Sequence, residues 1–295
     1  MYLPDFDYLS PRAVNEACGV LAQFREQAKV LAGGTDLLPQ VKNGLIEPGV
    51  LVSLKGIEGL RKIEYIQGKG VVIGAGATIN DLVNSHVLWK KFHSISEAAS
   101  TMANNQIRNR GTIGGNIVSA VPSADLPPIL IALRASVTLV GKEKTRAIAL
   151  ENFFVGPGRS VISFDEILTE VIIPDQATTG SAYVKLGRRN SGALAVVGVA
   201  VSVISDGAYV KEACIVLGAV GPTPIRASKA EHLLIGKSVT EKVLEDVGRV
   251  ASMECSPISD IRGSEEYRRD MVRVFTKRAL RKALKLTILE EIKDR

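Results

Sequence analysis

Cysteine is scarce. The 295 residues hold three, Cys18, Cys214 and Cys255, and no two stand at metal-clip spacing. That excludes a disulfide scaffold, a CxxC metal site and a cysteine-held cluster within this chain, and three reduced thiols are expected. No apolar run approaches the roughly 18 residues of a membrane span. The longest candidate, Leu194 to Ile204, alternates small and β-branched residues like a buried strand. Met1-Tyr2-Leu3-Pro4-Asp5 has neither the basic nor the apolar stretch of a signal peptide. A cytoplasmic protein without a membrane span is expected. Charge of one sign is also modest: 37 basic against 31 acidic residues leave +6. That permits an anionic ligand or an acidic partner and does not argue for nucleic acid. The three histidines, His86, His93 and His232, have no partner spacing, so surface or core roles are expected.

What is present is a folded globular chain, 46% hydrophobic and 23% charged, with 27 glycines. Residues 1–55 read as a small α/β unit. Ser10 and Pro11 open a helix carrying Ala13, Val14, Ala17, Leu21 and Phe24, and buried strands follow at Val30–Ala32 and Val50–Leu54. Residues 56–176 begin with a hairpin, Ile63–Ile66 and Gly70–Gly74, turning at Gln67-Gly68-Lys69. Thr78 followed three residues later by Asp81 predicts a capped helix start. A helix around Ser94–Met102, a polar loop Asn104–Arg110, a helix Leu126–Leu133 and strands Val137–Val140 and Leu168–Ile173 complete this segment. Residues 177–295 predict a meander, Tyr183–Arg189, Leu194–Ile204 and Lys211–Ala219, with its second turn at Ser205–Ala208. The rest is helical. Ser264 starts a helix with Tyr267, Met271, Val274 and Phe275 on one face.

Two glycine-rich loops stand out, Gly33-Gly34-Thr35-Asp36 and Gly111-Thr112-Ile113-Gly114-Gly115-Asn116. Paired glycines admit positive φ and let a ligand approach the backbone without a Cβ in the way. Successive N–H groups in such a turn form an anion nest, and a following helix adds its N-terminal dipole. Neither loop matches GxGxxG or GxxxxGK[ST], so neither dinucleotide fingerprint nor P-loop is supported. Read as generic patterns, the loops are tight turns or phosphate cradles, two of which could clamp a diphosphate.

Longer strings are more specific. Lys29-Val30-Leu31-Ala32-Gly33-Gly34-Thr35-Asp36-Leu37, then Gln106-Ile107-Arg108-Asn109 running into Gly111–Asn116, then Pro122-Ser123-Ala124-Asp125-Leu126-Pro127, carry the first part of the pattern. Phe153-Phe154, Gly156-Pro157-Gly158, Asp165-Glu166-Ile167-Leu168, Lys185-Leu186-Gly187-Arg188-Arg189 and Pro222–Ala227 continue it in order. Together they resemble the FAD-binding medium subunit of the molybdenum hydroxylases, the family of xanthine, carbon monoxide and nicotinate dehydrogenases. The resemblance implies an α+β fold of the vanillyl-alcohol-oxidase and UDP-enolpyruvylglucosamine-reductase type with a C-terminal α+β domain. Residues 1–55 and 56–176 would be two FAD-binding subdomains and 177–295 a C-terminal sheet-and-helix domain.

The resemblance also implies roles. Lys29, Val30, Leu31, Ala32, Gly33, Gly34, Thr35 and Asp36 would wrap the diphosphate of non-covalent FAD. Gly111, Thr112, Ile113, Gly114, Gly115 and Asn116 would form the second loop, with Ala103 and Gln106 beside it. Ser119 and Asp125 would meet polar FAD atoms, Ile167 or Leu168 the adenine end, and Val184 and Lys185 the flavin ring. Simpler readings stand beside these: Asp125 as a helix cap, Lys185 as a solvated charge, Ile167 and Leu168 as core, Arg188 and Arg189 as a surface pair, Trp89 as packing. No side chain is assigned catalytic work on the carbon substrate, and none a metal. The molybdenum cofactor and [2Fe-2S] clusters would reside on a large and a small partner subunit, and FAD would pass electrons to NAD, a quinone or another acceptor. A stand-alone NAD(P)H-dependent flavin reductase and a non-redox nucleotide-binding subunit are the alternatives. Two stretches depart from the family pattern: Asn190-Ser191-Gly192-Ala193-Leu194 has no acid, and Val121 stands where serine is common. The basic helix Arg268, Arg269, Arg273, Lys277, Arg278, Arg281, Lys282 and Lys285 reads first as a solvated face, then as a docking surface.

Overall fold

Buried strands, not helices, set the frame. The computed structural model describes residues 3–176, 180–189, 191–206 and 209–285. These divide into two units, each described by itself. The expected turn at Ser205–Ala208 falls partly outside the described residues, as do Asn190 and the presumed start of the third segment at Ala177.

The first unit comprises 1–91, 102–121 and 134–175. Its first sheet holds β1 (Asp7–Leu9), β2 (Ala28–Leu31) and β3 (Val50–Ser53) in the order β1-β3-β2, all parallel. Parallel strands need crossover connections, and the helix α1 (Val14–Phe24) lies in the one that joins β1 to β2, the two strands that flank β3. Central β3 is buried throughout, as a strand covered on both faces must be. Ala17, Cys18 and Leu21 of α1 pack with Ala28, Val50, Val52 and Ile167 into one core. The helix begins later than Ser10 and Pro11 suggest. Ala13 is the N-cap with no side-chain bond, and Glu16 accepts from the Arg12 N–H instead. A short helix, α2 (Leu37–Lys42), follows the first glycine loop.

The second sheet is antiparallel: β4 (Ile63–Ile66), β5 (Gly70–Gly74), β6 (Ser136–Val140), β7 (Thr145–Ala149) and β10 (Ile167–Ile173), in the order β4-β5-β10-β6-β7. A ribbon of β8 (Phe154–Gly156) and β9 (Arg159–Ser160) lies between β7 and β10 in sequence. The β4–β5 hairpin turns where expected, with Gly68 at φ +80. The predicted cap also forms. Thr78 and Asp81 make a reciprocal capping box at the start of α3 (Ile79–Asn84), which α4 (His86–Lys91) follows. Strands β7 to β9 escaped the sequence reading, because short edge segments with alternating exposure carry little hydrophobic signal.

The second unit comprises 92–101, 122–133 and 176–295. Helix α5 (His93–Ser100) belongs to it, while α6 (Asn105–Arg108) and α7 (Ile113–Val118) belong to the first unit. Its sheet runs β11 (Gly180–Gly187), β12 (Ala195–Asp206), β13 (Tyr209–Gly218) and β14 (Ile225–Arg226), antiparallel in that order, so the meander forms as expected. Helix α8 (Leu126–Ala132), buried along its whole length, packs on β12 and β13. Pro128 sits so close to β13 that a Cβ on Gly218 would lie 2.6 Å from its Cγ. Helices α9 (Ser228–Leu234), α10 (Glu241–Glu254) and α11 (Glu265–Ala283) close the core.

Ser264 caps α11 as predicted. Its buried face is offset from the expected one: Arg268, Val272, Phe275, Thr276, Ala279 and Leu280 lie inside, and Tyr267 is exposed. Arg268 is a buried cation, 2% exposed and paired with Asp260. Arg273, Lys277 and Arg281 pair with Glu241 and Glu245 of α10. The basic helix is therefore largely an inter-helix ion-pair seam rather than a free basic face. Among the described residues no helix is long and apolar enough to cross a membrane.

Candidate functional site

The first glycine loop leaves β2 and enters α2. Gly34 adopts φ +76, which only glycine takes without strain. Among the described residues the backbone N–H groups of Gly33, Gly34, Thr35 and Asp36 donate to no protein acceptor. Four consecutive unspent donors ahead of a helix form an anion site of nest type.

The second loop is built differently. The N–H of Gly111 donates to Ile107 O, that of Ile113 to Ala77 O, that of Gly114 to Ala75 O and that of Asn116 to Thr112 O. Thr112 caps α7 by accepting from Gly115. Its donors are therefore mostly committed to holding the loop in place. What it offers is the bare backbone of Gly111, Gly114 and Gly115 and one buried acceptor lacking a partner, Asn116 Oδ1.

The two loops touch. A Cβ on Gly33 would lie 2.1 Å from Arg110 O and 2.9 Å from Gly111 Cα. A Cβ on Gly114 would lie 2.8 Å from Ala75 O. These glycines are required first by backbone-to-backbone packing, whatever ligand lies above. Ala103 holds φ +41, a left-handed conformation that costs a non-glycine residue free energy. The segment expected as a polar loop contains α6, capped by Asn104 accepting from Ile107. Asn80 donates to Asn105 and to Asn109, and Arg108 donates to Asn80 Oδ1 and Met102 O, which fixes this edge. Gln106 is exposed, and the Ser119 hydroxyl donates to Asn116 O at 3.3 Å.

Lys29, Val30 and Leu31 lie in β2 leading to the loop, with Ala32 at its start. Ile167 and Leu168 are 2% and 4% exposed, and Ile167 packs with α1. Glu166 beside them receives Arg146 and the Ser163 N–H, and Arg146 holds its carboxyl below the usual range against the pull of burial.

In the second unit, Asp125, Tyr183 and Lys185 converge. Tyr183 and Lys185 are two apart on β11 and so share a face. Tyr183 Oη donates to Asp125 Oδ1 at 2.8 Å, and Lys185 Nζ to Asp125 Oδ2 at 2.8 Å and Thr101 O at 3.2 Å. Lys185 and Asp125 side chains are 7% and 8% exposed. Burial pushes the Asp125 carboxyl up, partly offset by the Lys185 charge and by both hydrogen bonds. Burial and Asp125 raise the Tyr183 phenol well above its ordinary value, so it remains a donor. Asp125 precedes α8 but makes no capping bond, which removes the helix-cap reading. Lys185 is likewise no solvated charge. Val184, on the opposite face, packs against the core of this unit.

Sequence reasoning missed Tyr183. Its signal was a phenol on the buried face of an alternating strand, which requires a polar partner. Cys18, Cys214 and Cys255 are buried and form no disulfide among the described residues, and burial pushes the Cys18 thiol up to about 11. No cluster of three or more His, Cys, Asp or Glu able to hold a metal occurs among the described residues.

A glycine loop with unspent donors, packed against a second glycine-rich loop with an orphaned acceptor, has the chemistry to receive a nucleotide diphosphate. The comparisons give that class its identity. Residues 4–176 match the FAD binding domain in molybdopterin dehydrogenase, and residues 181–283 the carbon monoxide dehydrogenase flavoprotein C-terminal domain. The carbon monoxide dehydrogenase medium chain of Hydrogenophaga pseudoflava is 36% identical over 284 residues, 96% of this chain and 98% of the relative. The glyceraldehyde dehydrogenase medium chain of Sulfolobus acidocaldarius is 31% identical, with 95% and 99% covered. A solved structure of carbon monoxide dehydrogenase from Hydrogenophaga pseudoflava, lacking the Mo-pyranopterin moiety of its cofactor, superposes with a TM-score of 0.92 at 37% identity, covering 96% and 98%. This chain belongs to the FAD-binding medium-subunit family of the molybdenum hydroxylases, and is an FAD-dependent oxidoreductase subunit.

Proposed function

We propose that this chain is the electron-transfer subunit of a three-part molybdenum hydroxylase, receiving electrons from [2Fe-2S] clusters on a small partner and passing them to NAD, a quinone or another acceptor. A large partner would hold the molybdenum cofactor and oxidise the carbon substrate. The cytoplasm is the proposed compartment. The observation that carries the cofactor assignment is the run of four unspent N–H donors, Gly33 to Asp36.

Neutral donors suit a diphosphate, because they hold its charge without cations that would have to be desolvated. In this reading Lys29 to Ala32 bring the loop to the phosphates, and Gly111 to Asn116 line the neighbouring stretch, with Asn116 Oδ1 accepting from a ligand hydroxyl. Ala103, Gln106 and Ser119 border the second loop. Ile167 and Leu168 back the adenine end. Val184 stiffens the strand that aims Lys185, and Lys185 and Asp125 meet the polar edge of the flavin. Residues 1–55 and 56–176 are the proposed cofactor-binding subdomains and 177–295 the third, with α5 and α8 packed into the fold of that third region.

Bound flavin supplies the chemistry, accepting electrons singly and delivering a pair. The chain's own residues bind it, orient it and bias its reduced state. Lys185 acts there as half of an ion pair with Asp125, so its influence is that of an oriented dipole rather than a bare cation.

The test is reconstitution. The purified chain titrated with FAD should acquire stoichiometric absorbance near about 450 nm, as bound flavin does. It should co-purify with an iron–sulfur and a molybdenum subunit. Turnover of NAD(P)H with a free acceptor by the chain alone, with no partner subunit co-purifying, would establish the reductase reading instead, and failure to bind FAD would refute both.

A further inference from the structure

Tyr183 belongs to neither glycine loop and to no family motif quoted above, yet it is buried at the centre of the Asp125–Lys185 pair. We propose that Tyr183 is a positioning residue: its hydroxyl locks the Asp125 carboxylate, and through it the Lys185 ammonium, in the orientation that meets the flavin. The inference rests on the reading that Lys185 borders the flavin.

Three observations support it. The first is the division of labour at Asp125. One oxygen is taken by the phenol and the other by the ammonium, each at 2.8 Å. A carboxylate torsion is broad and roughly two-fold, so a carboxylate held at one oxygen only can swing. Held at both, it is fixed.

The second is the donor count on Lys185. An ammonium has three donors. Two are directed to Asp125 Oδ2 and Thr101 O, and among the described residues no partner takes the third. A lysine side chain so buried, with one remaining N–H, is arranged to present that donor to something outside the protein's own hydrogen bonds.

The third is Gly198. It faces Lys185 directly in the β11–β12 register, one pair along from Val184 and Val199. A Cβ there would lie 2.7 Å from Tyr183 Oη and 3.2 Å from its ring. Its flanking residues, Val196, Val197 and Val199, are β-branched strand formers, and glycine weakens a strand interior. The space it leaves is the space the phenol occupies.

The experiment uses the full chain loaded with FAD. Tyr183→Phe removes the hydroxyl and keeps the ring. The expected result is a lower flavin midpoint potential by about 30 mV, equivalent to a tenfold weaker hold on the two-electron reduced state. FAD stoichiometry should be unchanged. Gly198→Ala should shift the potential in the same direction by crowding the hydroxyl. Lys185→Met should lower it further, and in that background Tyr183→Phe should add nothing. In the FAD-free chain, Tyr183→Phe should also make Lys185 react several-fold faster with an amine-acylating reagent, read by mass spectrometry. An unchanged acylation rate overturns the positioning role whatever the flavin does. A Tyr183→Phe potential shift that persists in Lys185→Met overturns the route through Lys185. No potential shift in Lys185→Met, with faster acylation of Lys185 in Tyr183→Phe, removes Lys185 from the flavin while leaving Tyr183 as its anchor. That outcome separates failure of the parent reading from failure of the positioning role.

Discussion

Replacing Gly33 with alanine tests the site most directly. The added methyl would sit 2.1 Å from Arg110 O, a separation real Cβ atoms essentially never show. Relief requires the two loops to part by about 1.4 Å, given that such contacts settle near about 3.5 Å. Neither wall can yield by a side-chain rotation, since both are backbone. Overpacking of this kind costs about 1–3 kcal/mol in stability. The larger loss falls on the ligand. Hydrogen bonds to a charged group contribute about 1.5–3 kcal/mol each, so misaligning two of the four donors removes about 3–6 kcal/mol. That is roughly a hundredfold to ten-thousandfold in Kd. The assay is an FAD titration by flavin fluorescence, paired with melting curves in the presence and absence of FAD. In the unaltered chain FAD at about 100 times its Kd should stabilise by about 2.7 kcal/mol, and in Gly33→Ala at the same concentration that gain should nearly vanish. A Gly33→Ala variant that binds FAD within about threefold of the parent would refute the donor-run assignment.

Two other perturbations probe the scaffold. Gly19 lies inside α1 with nothing within 4 Å of a Cβ built upon it; Gly19→Ala should stabilise the first unit by about 0.5–1 kcal/mol in a urea melt, with FAD affinity unchanged. Glu166 has its folded pKa depressed, chiefly by Arg146, so its contribution is fully present above the ordinary carboxyl value and is lost as pH falls through the depressed folded one. Glu166→Gln should therefore destabilise at neutral pH and flatten the acid limb of the stability curve, whereas an unchanged acid limb would show that the pair contributes nothing.

Much of the fold was legible because it rests on local signals. Val50–Ser53 reads as a buried strand from composition alone, the Thr78–Asp81 box from spacing, and the β4–β5 turn from Gly68. Apart from the short edge strands β7 to β9, the failures share a cause. The start of α1 depends on Glu16 reaching back to Arg12, and the inner face of α11 depends on Asp260 neutralising Arg268. Both are decided by partners that periodicity does not reveal. The same holds at the site. Both glycine loops can be found in the sequence, but which of them has donors to spare follows from Ala75, Ala77 and Ile107, whose carbonyls claim the second loop's N–H groups. Lys185 looks like a surface charge until Asp125, sixty residues earlier, is placed beside it.

Helix α8 has one more implication. It precedes the residues of the second unit's sheet by about fifty positions in the chain, and it is buried against β12 and β13. A fragment cut at the obvious seam near residue 177 would therefore be synthesised without one wall of its own core. The exposed faces of β12 and β13 would invite aggregation rather than folding. On the ribosome the order is reversed: α8 emerges early and must wait, unpartnered and apolar, until the later strands arrive. A swap of this region between relatives by simple end-joining near residue 177 would break the same packing.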